Sequence, residues 1–135
     1  MKIIHTDKAP IPAGHYSQAV VHEGLVYVSG QLPINPFSGE KVNSSIQNQT
    51  QQVLCNLAAI LEASGSSMDQ VLRVTVYLSD ISLWGKVNEV YSLVFGDHKP
   101  ARSVVPTKEL NHGFVVEVDA VAAVLSPEGD SIKNN

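Results

Sequence analysis

An α+β fold, with a mixed β-sheet carrying two helices on one face, is predicted by three features of this 135-residue sequence. Two segments, 46–64 and 82–95, place apolar residues at helical spacing. Runs at 71–78 and 114–125 alternate with the period of two that marks a half-buried strand. The order of elements is hairpin, helix, strand, helix and two strands. It lays two helices, each with one apolar stripe, side by side on a single sheet.

Lys2 to His5 adds an edge strand. Gln18–His22 and Leu25–Ser29 flank Glu23-Gly24, a tight hairpin signal. The first helix carries Ile46, Val53, Leu57, Ile60 and Leu61, flanked by Thr50 and Leu54, and Ser64-Gly65 stops it. In the next strand Leu72, Val74, Val76 and Leu78 share one face, while Arg73, Thr75 and Tyr77 take the other. The second helix bears Leu83, Val87, Val90, Tyr91 and Val94; Asp80 or Ser82 caps it and Gly96 ends it. A short strand follows at Arg102–Val105. The last strand sets Val116, Val118, Ala120, Ala122 and Val124 against Val115, Glu117, Asp119, Val121 and Ala123. One sheet face thus gathers Thr75, Tyr77, Val115, Val121 and Ala123, too apolar to prefer water. No third helix is available to cover it, so a second copy of the chain is expected to do so.

Length and charge bound the rest. The chain is sized for one domain, expected over 1–125, with a solvated tail at 126–135 rich in turn formers. Nine Lys+Arg against thirteen Asp+Glu give a net charge of −4, which disfavours nonspecific grip on a nucleic-acid backbone. The single cysteine, Cys55, forms no internal disulfide and is expected on or near the apolar face of the first helix, inert as a nucleophile. The N-terminal residues lack a signal peptide's apolar core, and no window is apolar enough to span a membrane. The expected location is the cytoplasm. Five scattered histidines make no metal-ligand pattern, and no phosphate-cradling glycine loop is present, so neither metal nor cofactor is expected.

Three features point to chemistry. Glu117 lies within Val115-Val116-Glu117-Val118, where a carboxylate is paired, hydrogen-bonded or set in a cavity. Arg102 opens a short strand after Pro100-Ala101 and can present a planar fork to a carboxylate, either that of Glu117 or that of a small anion. Gly14 and Gly30 allow close backbone approach beside Tyr16, a phenolic donor, and Ser29, a hydroxyl at a strand end.

Together these segments resemble the Rid (YjgF/YER057c/UK114) family of reactive-intermediate deaminases. The matching blocks are Gly14-x-Tyr16-Ser17-Gln18-Ala19, Ser29-Gly30-Gln31-Leu32-Pro33, Gly39-Glu40, Val87-Asn88-x-x-Tyr91, Pro100-Ala101-Arg102-Ser103 and Val116-Glu117-Val118. The resemblance implies a chorismate-mutase-like α+β fold, a homotrimer with clefts between subunits, and no cofactor. It also implies hydrolysis of enamine and imine intermediates such as 2-aminoacrylate and 2-iminopropanoate to 2-oxo acids and ammonia. By the same resemblance Arg102 binds the substrate carboxylate, Glu117 orients the attacking water and Tyr16 is the site tyrosine. Ser29, Gly30 and Asn88 match cleft residues. Val104, which the resemblance also places among the substrate-binding positions, stands where many members have cysteine, His15 where they have proline, and the connection Gly96–Lys99 is short. A carboxylate-binding regulatory module without turnover is the alternative reading, and a ribonuclease or translation inhibitor is the weakest, given the net charge.

Overall fold

Glu23 and Gly24 both take positive φ, 51° and 81°, the turn geometry whose twist matches that of paired strands. In the computed structural model, which describes residues 1–125, this turn joins β2 (Ala19–His22) to β3 (Leu25–Gln31). The remaining strands are β1 (Lys2–Ile4), β4 (Val71–Leu78), β5 (Ala101–Pro106) and β6 (Val116–Ala123). The helices are α1 (Ile46–Ala63) and α2 (Trp84–Phe95). One mixed sheet results, in the order β1-β2-β3-β6-β4-β5. All neighbours are antiparallel except β4 and β5, which are parallel and joined through α2. The tail expected at 126–135 lies outside the described residues.

Both helices pack on the same face. Val53, Leu57, Ile60 and Leu61 of α1 and Val87, Tyr91 and Phe95 of α2 close over Val26, Val28, Val74, Val76, Leu78 and the even-numbered residues of β6. Ser45 caps α1 by accepting from the Asn48 amide at 3.0 Å, and Gly65, at φ 80°, turns the chain out of it. The second helix begins later than the apolar stripe suggests. Asp80 accepts from the Ser82 amide at 2.9 Å and holds Ile81–Leu83 as a single 3-10 turn, so α2 proper starts at Trp84.

Two bulges shift the strand faces. Val71 pairs with Ala122 and Arg73 with Val121, leaving Leu72 as an extra residue. The alternation therefore slips by one. Val71, rather than Leu72, enters the core, and Leu72 is 48% exposed. The second bulge sets Ser29-Gly30 opposite Asp119 alone, because Val28 pairs with Ala120 and Gln31 with Val118. Cys55 also departs from expectation. It is exposed on α1, where Asn56 next to it takes the inward position instead.

The opposite sheet face carries Thr75, Tyr77, Glu117, Asp119, Val121 and Ala123, each partly covered by its strand neighbours alone. Among the described residues, no helix is long and apolar enough to cross a membrane. None of their His, Cys, Asp and Glu side chains gather in groups of three that would hold a metal.

Candidate functional site

The residues singled out in the sequence fall into two groups, one on each face of the sheet. On the open face, strand alternation directs Glu117 and Asp119 outward from β6, level with Tyr77 and Thr75 of β4. Tyr77 donates its hydroxyl to Asp119 Oδ2 at 2.9 Å, which occupies that carboxylate and raises the Tyr77 pKa above its ordinary value. Glu117 has no such partner among the described residues. The only ion pairs among the described residues are His5–Asp7 and His22–Glu23. Burial, and then the charge of Asp119, push the Glu117 carboxyl above its usual range.

The bulge in β3 makes room for this carboxylate. A Cβ on Gly30 would lie 3.2 Å from the Glu117 carboxyl carbon and closer still to one oxygen. Beside it Ser29 donates its hydroxyl to the Ser17 carbonyl at 2.6 Å, and its amide to the Gln18 carbonyl at 3.0 Å. The hydroxyl expected as a cleft group thus stitches the 13–18 loop to β3. Gln18, only 1% exposed, anchors the other side of that loop. It accepts from the Thr6 amide at 2.7 Å and donates to the Thr6 and Pro10 carbonyls, both at 3.0 Å. Tyr16 is carried on this loop, half exposed, its hydroxyl accepting from the Ala13 amide at 3.3 Å. Tyr16, Ser29, Gly30 and Glu117, with Leu32 and Asn111, line one cleft of about 230 Å³. Asn111 reaches it from a turn in which His112 and Gly113 both have positive φ.

On the helix face lies Arg102. Parallel pairing sets it level with Val74, whose side chain is in the core beneath the helices. The guanidinium donates from Nη1 to Asn88 Oδ1 at 3.0 Å and lies 4.5 Å from the Trp84 ring centroid and 4.9 Å from that of Tyr91. Trp84, Asn88 and Tyr91 are spaced i, i+4, i+7, one face of α2. Asn88 therefore engages the arginine directly. Val104, two residues along β5, is half-buried against the core. Tyr91 Oη is the only buried side-chain polar atom without a partner among the described residues. Burial raises its pKa, and the neighbouring guanidinium opposes that rise.

Arg102 and Glu117 do not meet within one chain. They project from opposite faces of the same sheet, so the arginine does not neutralise the acid. Sequence reasoning named Tyr16, Ser29, Gly30, Glu117, Asn88, Arg102 and Val104 but missed Trp84 and Asn111. Trp84 stands one helical turn before Asn88, a signal available in the sequence; nothing there marks Asn111.

Comparison with known proteins adds a second line. A family profile described as Endoribonuclease L-PSP matches residues 6–124. A RutC family protein of Pyrococcus horikoshii is 46% identical over 121 residues, covering 90% of this chain and 96% of its own length. The Rattus norvegicus protein named 2-iminobutanoate/2-iminopropanoate deaminase is 40% identical over 121 residues, 90% of this chain and 88% of its own. Among solved structures, RidA from an Antarctic Psychrobacter superposes with a TM-score of 0.88 at 38% identity, covering 92% of this chain and all of the other. Escherichia coli TdcF with bound serine superposes with a TM-score of 0.87 at 35% identity, over 91% of this chain and 98% of the other.

Proposed function

The chain belongs to the Endoribonuclease L-PSP family, also known as the YjgF/Rid family, and from that premise we propose that it hydrolyses reactive enamine and imine intermediates to 2-oxo acids and ammonia. The observation that carries this reading is the division of Arg102 and Glu117 between the two faces of one sheet. Each stands ready for an external partner. The guanidinium is held by Asn88 and two aromatic rings, with its Nε–Nη2 edge free of acceptors among the described residues. The carboxylate faces a cleft and has no partner among the described residues.

A site containing both groups needs a second copy of the chain, and the half-covered open face is where we place it. The proposed assembly is the homotrimer, in the cytoplasm, with one cleft per subunit interface. In that cleft Arg102 takes the substrate carboxylate in a two-pronged bond, which fixes the face of the imine carbon. An iminium carbon is already electrophilic, so water attack needs position and a proton acceptor rather than a nucleophilic side chain. Glu117 accepts the proton as the C–O bond forms and returns one to the amine as the C–N bond breaks. The products are a 2-oxo acid and ammonia, and atoms balance with water alone. A carboxyl whose pKa is raised above its ordinary value, as burial raises that of Glu117, suits both halves of this exchange. Tyr16 lines the same cleft and contacts the reacting groups; Ser29 and Gly30 shape the wall behind them, and Val104 supports the strand that carries Arg102. The serine bound in the TdcF structure and the name of the rat relative support a small amino-acid-like carboxylate ligand.

The test supplies 2-iminopropanoate from alanine and an amino-acid oxidase and follows its decay. Wild-type protein accelerates it, and Arg102→Ala reduces kcat/KM by about 100-fold, as loss of a charged hydrogen-bonded pair does. Equal acceleration by both proteins would overturn the proposal. The family description favours RNA cleavage as a second reading. Against it stand the net charge of −4 and the two half-buried carboxylates, Glu117 and Asp119, side by side on the open face. Salt-dependent binding of single-stranded RNA at this face would restore it.

A further inference from the structure

The groove that holds Arg102 continues past the guanidinium. At the N-terminal end of α2 the Trp84 ring covers it, but toward the C-terminal end a cavity of about 370 Å³ opens between α2 and the entry to β5. Arg102 forms one wall of this cavity. Tyr91 and Phe95, with ring centroids 4.6 Å apart, form an aromatic floor, and Pro100 closes the side. Gly96, held at φ 62°, and the short connection after it leave this end free of bulk. The methyl group of 2-iminopropanoate would occupy a small part of such a space.

Resting on the imine-deaminase reading, we propose that this cavity is the side-chain subsite of the Arg102 site, selecting 2-imino acids with branched or aromatic apolar side chains. A carboxylate on the free edge of Arg102 leaves the substituent two directions along the groove, and only this one opens onto an apolar floor. The rim carries Lys99, but the floor that a substituent would cover is apolar. Lys99 and His98 sit at the C-terminal end of α2, where exposed carbonyls carry partial negative charge. The His98 amide donates to the Phe95 carbonyl at 3.2 Å, and its ring Nε2 is bonded to the Val71 carbonyl at 2.7 Å. Apolar area removed from water is therefore the term that distinguishes substrates here.

Two measurements test this, the first of them separately from turnover. The first is calorimetric binding of pyruvate, 4-methyl-2-oxopentanoate and 2-oxoglutarate to the wild-type protein and to Ser92→Phe, whose new ring would fill the cavity from the exposed rim of α2. The branched 2-oxo acid should bind about tenfold more tightly than pyruvate. Ser92→Phe should erase that ratio with no loss of melting temperature. The second is kcat/KM for imines made from alanine, leucine, phenylalanine and glutamate, which should favour leucine and phenylalanine by a similar factor. Equal binding of the three acids, preference for 2-oxoglutarate, or an unchanged ratio in Ser92→Phe would overturn the subsite. Tight, selective binding without hydrolysis of any imine would keep it and defeat the deaminase reading instead.

Discussion

Gly30→Ala separates the role of Glu117 from the stability of the fold. Gly30 does not need positive φ, so alanine fits the backbone, but its methyl would enter the space of the Glu117 carboxylate. The obstacle is the far end of a flexible side chain, not backbone. Rotating it off its preferred conformer costs about 0.5–1.5 kcal/mol. Alanine in place of glycine recovers about 0.4–1 kcal/mol by restricting the unfolded chain. The two terms nearly cancel, so the melting temperature should move by no more than a few degrees. Catalysis does not share this cancellation. A displacement of about 1 Å at a catalytic group costs on the order of 100-fold, and a positioned acid–base contributes about 10²–10⁴. Imine hydrolysis by Gly30→Ala should therefore fall about 100-fold, while pyruvate affinity, carried by the contact of its carboxylate with Arg102, changes by less than about threefold. The assay pairs oxidase-generated imine decay with calorimetric pyruvate binding. Hydrolysis near the wild-type rate, or parallel loss of pyruvate binding, would refute this reasoning.

Glu117→Gln should stabilise the protein progressively as pH rises. Because the folded carboxyl has a raised pKa, the folded state holds its proton where the unfolded state has lost it. That contribution is full at low pH and disappears as pH climbs through the folded pKa. Urea midpoints should coincide near pH 4 and favour the glutamine variant at pH 7; an advantage for wild type that grows with pH would contradict the assignment. Gln18→Ala should cost about 2–3 kcal/mol, since it strips partners from the Thr6 amide and from the Thr6 and Pro10 carbonyls. Chemical denaturation reads this directly, and a loss below about 0.5 kcal/mol would mean that water replaces the side chain freely.

Periodicity carried the fold because each helix has one stripe and each long strand one buried row. It failed where a single extra residue intervenes. Leu72 satisfies the alternation on paper, yet the bulge opposite β6 turns it outward and draws in Val71. The start of α2 was obscured for a similar local reason, since one Asp80 hydrogen bond converts the expected first turn into a 3-10 turn. At the site, residue types were legible and connections were not. Glu117 announces itself as a carboxylate in an apolar strand, but only the pairing shows Tyr77 serving Asp119 and leaving Glu117 free. Asn88 reads as a ligand contact and proves to hold Arg102. The separation of Arg102 from Glu117 follows from strand register, which no spacing between residues 102 and 117 discloses.

Complementation between two inactive variants probes that separation most directly. Arg102→Ala and Glu117→Gln are produced with different tags, refolded together, and the doubly tagged assemblies isolated. If each site of the proposed homotrimer joins the arginine of one copy to the acid of its neighbour, every mixed assembly restores both groups in about a third of its sites. Imine hydrolysis should then return to about a third of the wild-type rate, though neither variant alone shows it. Mixed assemblies as inactive as their parents would contradict a site shared between copies.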